Sequence, residues 1–471
     1  MAHPAQGAVT AEAGLSRRIA AHMAGLTLDA VLPATHHATR RALLDAIGVM
    51  LGASGLSDDA LPYRAHAAAT PGPARLIGTD ARSTPPLAAL ANGALAHALD
   101  YGDTFDAGPA HPHAALVPAL LALADTRPEI DVGTLLTALA AGGDLACRLS
   151  LAPARPYEEG GWYPPPLVNL IASAAACARL LGLDADGVRQ AMGLALVQGA
   201  FPGIIKYDPT SPMRGMREAF VARASVEAAL LAEAGARGFD APLEGKAGFF
   251  EVYGGGAPGA ALTNGLGERF LGAEVSFKPW PACRGTHPYI EAALALRDRI
   301  DRAAIDRIEA ETGPIQEMLI RPLDIKAAPT RPVEAKFSIP WTVGVALVHG
   351  VVTLDSFSLE ALDDPQVRAV AARVVEWRNP GWGRAQAASG SLTIHLRDGT
   401  MFTHTVSQAA GHPDRPMTDS DLIAKFARCA AHAATPIAGP EAEALAAHIL
   451  GFPANNPAHG LLQHPACATA I

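Results

Sequence analysis

From about Leu15 to Leu266, apolar residues recur at spacings of three and four, the period of one helix face. RRALLDAIGVMLGAS (40–54), PPLAALANGALAHALDYGD (85–103), HAALVPALLALADT (113–126) and VGTLLTALAAGGDLACRLSL (132–151) each predict a helix. So do LVNLIASAAACARLLGL (167–183) and MREAFVARASVEAALLAEAGARG (216–238). Gly and Pro fall between them, where helices stop. Several of these segments are apolar nearly all round, which places them in the centre of a core or in an oligomer interface. Near Phe270 the period changes. RIEAETGP (307–314) and SLTIHLRDGTMFTHTVS (391–407) alternate in twos, and Asp398-Gly399 reads as a hairpin turn. Helical spacing returns in TDSDLIAKFARCAAHA (418–433), with Thr418 or Ser420 as its cap, and in PEAEALAAHIL (440–450). The fold predicted is mainly α. It comprises a large all-helical domain from residues 1–267 and 409–471, discontinuous in sequence, and a smaller α+β domain from 268–408.

Composition narrows the function classes. The chain has 471 residues, too many for one ordinary core. It is 49% hydrophobic and 18% charged, with a net charge of -9. That balance argues against a nucleic-acid surface, which needs clustered Lys and Arg. A basic pocket for an anionic small molecule remains compatible with it. The five cysteines, Cys147, Cys177, Cys283, Cys429 and Cys467, are scattered and lack CxxC spacing, which points away from a disulfide framework or a zinc cluster and toward a reducing compartment. Arg17 and Arg18 interrupt the N-terminal apolar stretch, and no long apolar run is free of charge and Pro. The expectation is a cytoplasmic protein with no membrane span.

Against this apolar background, the densest polar cluster is 97–113. His97 and Asp100, spaced i, i+3, share a helix face, and Asp103, Thr104, Asp106, His111 and His113 follow. A His beside an acid where a buried helix meets a loop suits general acid–base work; the bland alternative is a polar helix end running into a solvated loop. His97, Asp100, Asp103 and His111 also offer a divalent-metal reading, although their spacing fits no familiar zinc pattern. A second cluster, FKPWPACRGTHPYIEAAL (277–294), sets Lys278, Arg284 and His287 before a helix starting at about Pro288, an arrangement that attracts anions. Cys283 lies there too, with no base in sequence reach, and is expected to be structural. A third, SPMRGMREAFVAR (211–223), brings Arg214 and Arg217 near a helix start; Arg forks grip carboxylates, but Arg217 is expected on a solvated face.

Taken together these motifs resemble the MmgE/PrpD family, which includes 2-methylcitrate dehydratases, cis-aconitate decarboxylases and iminodisuccinate epimerases. NGALAHALDYGDT…HPHAALVPALLAL resembles the family signature, and RRALLDAIGVMLGAS, AAACARLLGL, EGKAGFFEVYG (244–254), FKPWPACRGTHP and RPVEAKFSIPWTVGVALVHGVVTLDSF (331–357) occupy the family's order over nearly the whole chain. The resemblance implies a homodimer, no metal and no organic cofactor. Its signature Asp, Thr and His correspond to Asp100, Thr104 and His111, with one extra residue before the last; its Lys and later His correspond to Lys278 and His287. Three positions depart. Tyr163 in GGWYPPP stands where the family has His, Arg214 where it has Lys, and Met318 where the decarboxylases have a pocket Tyr.

The resemblance thus implies a cofactor-independent lyase acting on a small di- or tricarboxylate, with dehydration ranked ahead of decarboxylation and epimerisation. In that reading His111 moves a proton next to a carboxylate, Asp100 orients its imidazole, Lys278 and Arg214 hold charge, and Thr104, Tyr163, His287 and Met318 contact substrate. Tyr163 removes a group that titrates near neutrality, Arg214 keeps charge without acid–base capacity, and Met318 adds apolar surface. Two alternatives stand beside it: a catalytically silent carboxylate-binding protein, and a metal-dependent hydrolase.

Overall fold

A computed structural model describes residues 14–208 and 211–463; Cys467 lies outside the described residues. Between Leu15 and Val252 the chain is mainly helical, as its periodicity dictates. Helices α1 (Leu15–Gly25), α2 (Pro33–Leu56) and α3 (Leu61–Ala68) lead to a short ribbon of β1 (Ala74–Arg75) and β2 (Arg82–Ser83). Next come α4 (Pro85–Ala98), α5 (Pro112–Ala124), α6 (Val132–Leu151), α7 (Pro164–Leu180), α8 (Ala185–Leu196), α9 (Met213–Glu233) and the single turn α10 (Phe249–Val252). Every residue of α5 is buried, the expected fate of a helix apolar on all sides. α6 is long and apolar enough to cross a membrane by length and composition, yet 94% of that window is buried inside the protein.

The second part opens with α11 (His287–Arg297) and β3 (Ile305–Thr312), followed by the short helices α12 (Glu317–Ile320), α13 (Leu323–Ala327) and α14 (Pro332–Lys336). It continues through α15 (Ile339–His349), α16 (Pro365–Ala371), β4 (Val374–Arg378), β5 (Gly390–Leu396) and β6 (Met401–Val406). The sheet order is β4-β3-β5-β6, with β4 parallel to β3 and the other pairs antiparallel. Gly399 at φ +87° turns the β5–β6 hairpin. Two helices end the described chain, α17 (Asp419–Ala431) and α18 (Gly439–Gly451). Thr418 caps α17 in a reciprocal box with Asp421.

Buried apolar side chains form two cores. One contains residues from α1 to Phe277 together with Phe426, Cys429, Leu445 and Ile449 of α17 and α18; the other spans Ala282 to Ala409. The chain passes between them twice, and the two passages touch. Phe277 N–H donates to the Gly411 carbonyl at 3.2 Å. Gly411 sits at φ +87°, and a Cβ there would lie 1.9 Å from the Phe277 carbonyl oxygen, so only glycine lets the strands meet. Arg284 pins the crossing by donating to Asp106, to the Ala409 and Ala410 carbonyls, and to Ser276 Oγ.

Candidate active site

The polar cluster forms where α4 ends against α9 and the crossing point. Gly93 makes that contact possible: a Cβ on it would lie 2.8 Å from the Glu218 carbonyl oxygen of α9. The two helices therefore pack closely enough to bring Arg217 Nη2 to 2.8 Å from His97 Nε2. Arg217 is 1% exposed, which corrects its expected solvated position. A helical period cannot say which side of an amphipathic helix a lone Arg occupies once a second polar group is buried opposite it.

One turn past α4, Asp100 adopts φ +49°. Asp tolerates this left-handed region better than most residues, and it reverses the chain at a helix end. The reversal aims both the Asp100 carbonyl and its Oδ1 at Lys278 Nζ, 2.8 and 2.9 Å away. Lys278 is completely buried and comes from the passage between the cores. Burial alone would raise the Asp100 carboxyl, but Lys278 and His111 outweigh it and hold the group below its ordinary range. Asp100 Oδ1 also lies 3.3 Å from His97 Nε2.

His111, at the cap position of α5, is partly exposed. Its Nδ1 lies 2.9 Å from the Asp103 carbonyl oxygen and 3.2 Å from Thr104 Oγ1. A carbonyl only accepts, so Nδ1 carries the proton and Nε2 presents a lone pair. The expectation that the Asp100 carboxylate orients this ring is corrected: the Asp103 main chain and Thr104 hold it, while Asp100 serves Lys278 and His97. Thr104 is itself fixed by backbone pairing with Ser276 at 2.9 and 2.7 Å. The rings of His97 and His111 stand 4.7 Å apart. Burial, then Lys278 and Arg217, push His111 down to about 4, and burial with Arg217 pushes His97 well below its usual value. Both imidazoles are neutral at neutral pH.

The remaining expected residues divide. Tyr163, 7% exposed, lies with its ring 5.0 Å from the Arg217 guanidinium carbon. Arg214 stacks on Phe337 at 3.7 Å and points Nη2 at Met318 Sδ, 3.9 Å away, so the departures at Arg214 and Met318 share one wall. His287 does not join them. It is fully buried, its Nε2 is bonded to the Ala282 carbonyl at 3.1 Å, and its ring packs on Trp280, which fits a support for the Lys278 loop better than a substrate contact. His113 pairs with Asp103 at 2.8 Å, away from His111. Arg284 is saturated by the crossing, and burial pushes the Cys283 thiol up, so neither offers free chemistry. Among the described residues no group of three or more His, Cys, Asp or Glu converges as a metal cradle; His97 pairs with Asp100, Asp103 with His113, and His111 bonds a main-chain carbonyl.

Comparison with known proteins adds the decisive fact. Residues 17–260 match the MmgE/PrpD N-terminal domain, and residues 280–447 match the MmgE/PrpD C-terminal domain. The chain belongs to the MmgE/PrpD family. It is similar to human cis-aconitate decarboxylase, at 28% identity over 357 residues covering 74% of this chain and 73% of the relative. It also resembles the 2-methylcitrate dehydratase of Salmonella typhimurium, at 26% over 382 residues covering 76% and 77%, and that of Cupriavidus necator, at 27% over 367 residues covering 73% and 75%. The matched C-terminal domain runs through α17, although the buried face of α17 belongs to the first core.

Within this MmgE/PrpD site, three groups escaped the sequence reading. Arg217 was placed outside, and Glu218, fully buried with Oε2 3.2 Å from Asn169 Nδ2, went unremarked. Lys336, 7% exposed, lies in a motif matched for order and not for chemistry. A Lys at the end of a short helix just before an apolar run was the available signal.

Proposed function

We propose that the protein is a cofactor-independent lyase that removes a proton next to a carboxylate of a small di- or tricarboxylate and expels a hydroxyl as water. The observation that carries this reading is the state of His111. Its Nδ1–H is held by the Asp103 carbonyl, leaving Nε2 as a neutral base at the cleft. Dehydration begins by taking a proton from carbon, which needs such a base; decarboxylation ends by giving one, which needs a charged imidazole. This ranks dehydration first even though relatives of both names are similar to the chain.

Lys278 and Arg217 set positive charge beside the imidazole in an acidic protein. Carboxylates are drawn to that field, and an enolate forming beside it is stabilised where charge develops. A bound carboxylate also offsets the cations that depress His111, so the base strengthens once substrate is in place. Met318 and Phe337 give the wall they share with Arg214 an apolar face, which favours an acid with an alkyl substituent over a fully polar tricarboxylate. We expect the active form to be a homodimer in the cytoplasm.

A thermal-shift screen of di- and tricarboxylates, followed by NMR of each stabilising acid with the protein, tests the reading. Loss of a hydroxyl from a stabilising acid supports it. Binding without turnover supports the silent carboxylate-binding alternative, and carbon dioxide release would replace dehydration with decarboxylation.

A further inference from the structure

The second half of the chain holds one unused buried cation within the electrostatic reach of Asp100 and Lys278. Lys336 is the last residue of α14, and its position is fixed: its carbonyl accepts Cys283 N–H at 2.9 Å, and the following Phe337 carries Arg214 on its ring and accepts Lys326 Nζ at 2.8 Å. The side chain is 7% exposed, yet Nζ has no hydrogen-bond partner among the described residues and is not among the buried polar atoms sealed from solvent. A lysine that is buried, unpaired and open at its tip is costly to keep as an ammonium, unlike Lys278, which is paired with Asp100 at 2.9 Å. The charged groups acting on Lys336 are Asp100 from the end of α4, Lys278 from the crossing and Asp59 after α2. Burial lowers its proton affinity to about 8, where an amine and its ammonium coexist near neutrality.

We infer that Lys336 is the second proton-transfer group of this site, the acid that serves the leaving hydroxyl while His111 serves the carbon. This rests on the dehydratase reading above. In the step, the C–H bond next to the carboxylate breaks and its proton goes to His111 Nε2. The electron pair is first held as an enolate on the neighbouring carboxylate; it then forms the new C=C bond as the C–O bond breaks, and the hydroxyl takes a proton from the Lys336 ammonium and leaves as water. His111 ends protonated and Lys336 ends as the amine, and a proton exchanged through solvent restores both.

The two half-reactions separate in D2O with 2-methylcitrate as the probe, and citrate and malate as alternates. Deuterium entering the carbon next to the carboxylate reports His111, and ultraviolet absorbance of the alkene reports expulsion of water. The Lys336→Met variant should keep the exchange and lose alkene formation by about 100-fold. Lys336→Arg, which keeps charge but cannot donate usefully, should be equally impaired and should lose the alkaline limb of the rate profile near the affinity of Lys336. Alkene formation within about threefold of wild type in Lys336→Met would overturn the inference. So would full rescue by Lys336→Arg, which would make Lys336 a carboxylate anchor. A wild-type protein that neither exchanges nor eliminates with any of the three acids sinks the dehydratase reading itself, and the role of Lys336 with it. Matching circular dichroism of the two variants guards against misfolding.

Discussion

Two buried ionic clusters, one on α6 and one at the end of α4, are built to different rules. Around Arg148, every donor is used: Nε on Asp144 at 2.7 Å, and the two Nη atoms on the carbonyls of Asn264 at 2.6 Å and Arg269 at 2.8 Å, with Asp144 Oδ1 accepting Leu271 N–H at 2.8 Å. At the cleft the accounts stay open. His97 Nδ1 and Asp100 Oδ2 are buried without a hydrogen-bond partner, His111 shows a bare Nε2, and Lys336 is unpaired. Closed polar networks fix structure, whereas unsatisfied ones are tolerated where a ligand supplies the missing partners. Both clusters contain fully buried ions, so burial by itself does not distinguish them; the unfilled hydrogen-bonding positions do.

That contrast can be broken at several points. Replacing His111 by Ala should cost about 10²–10⁴-fold in turnover, roughly 3–5 kcal/mol of barrier, with little loss of stability. Steady-state rates alongside urea melts check it, and a variant that loses stability instead would make His111 part of the scaffold. Arg148→Met should do the reverse. It strands Asp144 and a set of carbonyls, so unfolding free energy should fall by about 3–5 kcal/mol while the folded fraction keeps its turnover number.

A third, smaller effect sharpens the electrostatics. His111 binds its proton near 4 when folded and near 6.5 when unfolded, so between those values the unfolded chain holds more protons. Stability contributed by the neutral ring is therefore complete above about 6.5 and is lost as pH falls toward 4, by up to about 1.4 kcal/mol per pH unit for one proton. Urea midpoints measured from pH 7 down to 4.5 should drop less steeply in His111→Gln than in wild type; parallel curves would show that the ring is not held neutral by its surroundings. Smallest of all, Thr418→Ala opens an exposed capping box on α17, and should cost about 1 kcal/mol without changing turnover. A larger functional effect there would mean that α17, whose Lys425 reaches the Tyr101 carbonyl at 2.6 Å, transmits strain to the loop at Asp100.

The cleft was legible where it is local. His97, Asp100, Thr104 and His111 lie within fifteen consecutive residues, and the expected strand segments at 307–314 and 391–407 hold β3 and the β5–β6 hairpin. What stayed hidden depends on packing between distant segments. Arg217 was placed outside because one polar residue on an amphipathic helix is ordinarily solvated; Gly93 reverses that by letting α9 close on α4. His111 was assigned the nearest acid, Asp100, but the ring turns to a backbone carbonyl, a group present at every position and therefore silent in sequence.

Periodicity determined the helices, the hairpin and the candidate segment, because those depend on which face of an element is apolar. Motif order gave the family. Tertiary structure alone decided which ring nitrogen of His111 is free, which buried cations are paired and which are open, and that Lys336 feels the charge of Asp100. Those are matters of distance and desolvation, several of them between residues more than a hundred positions apart, and no local pattern encodes them.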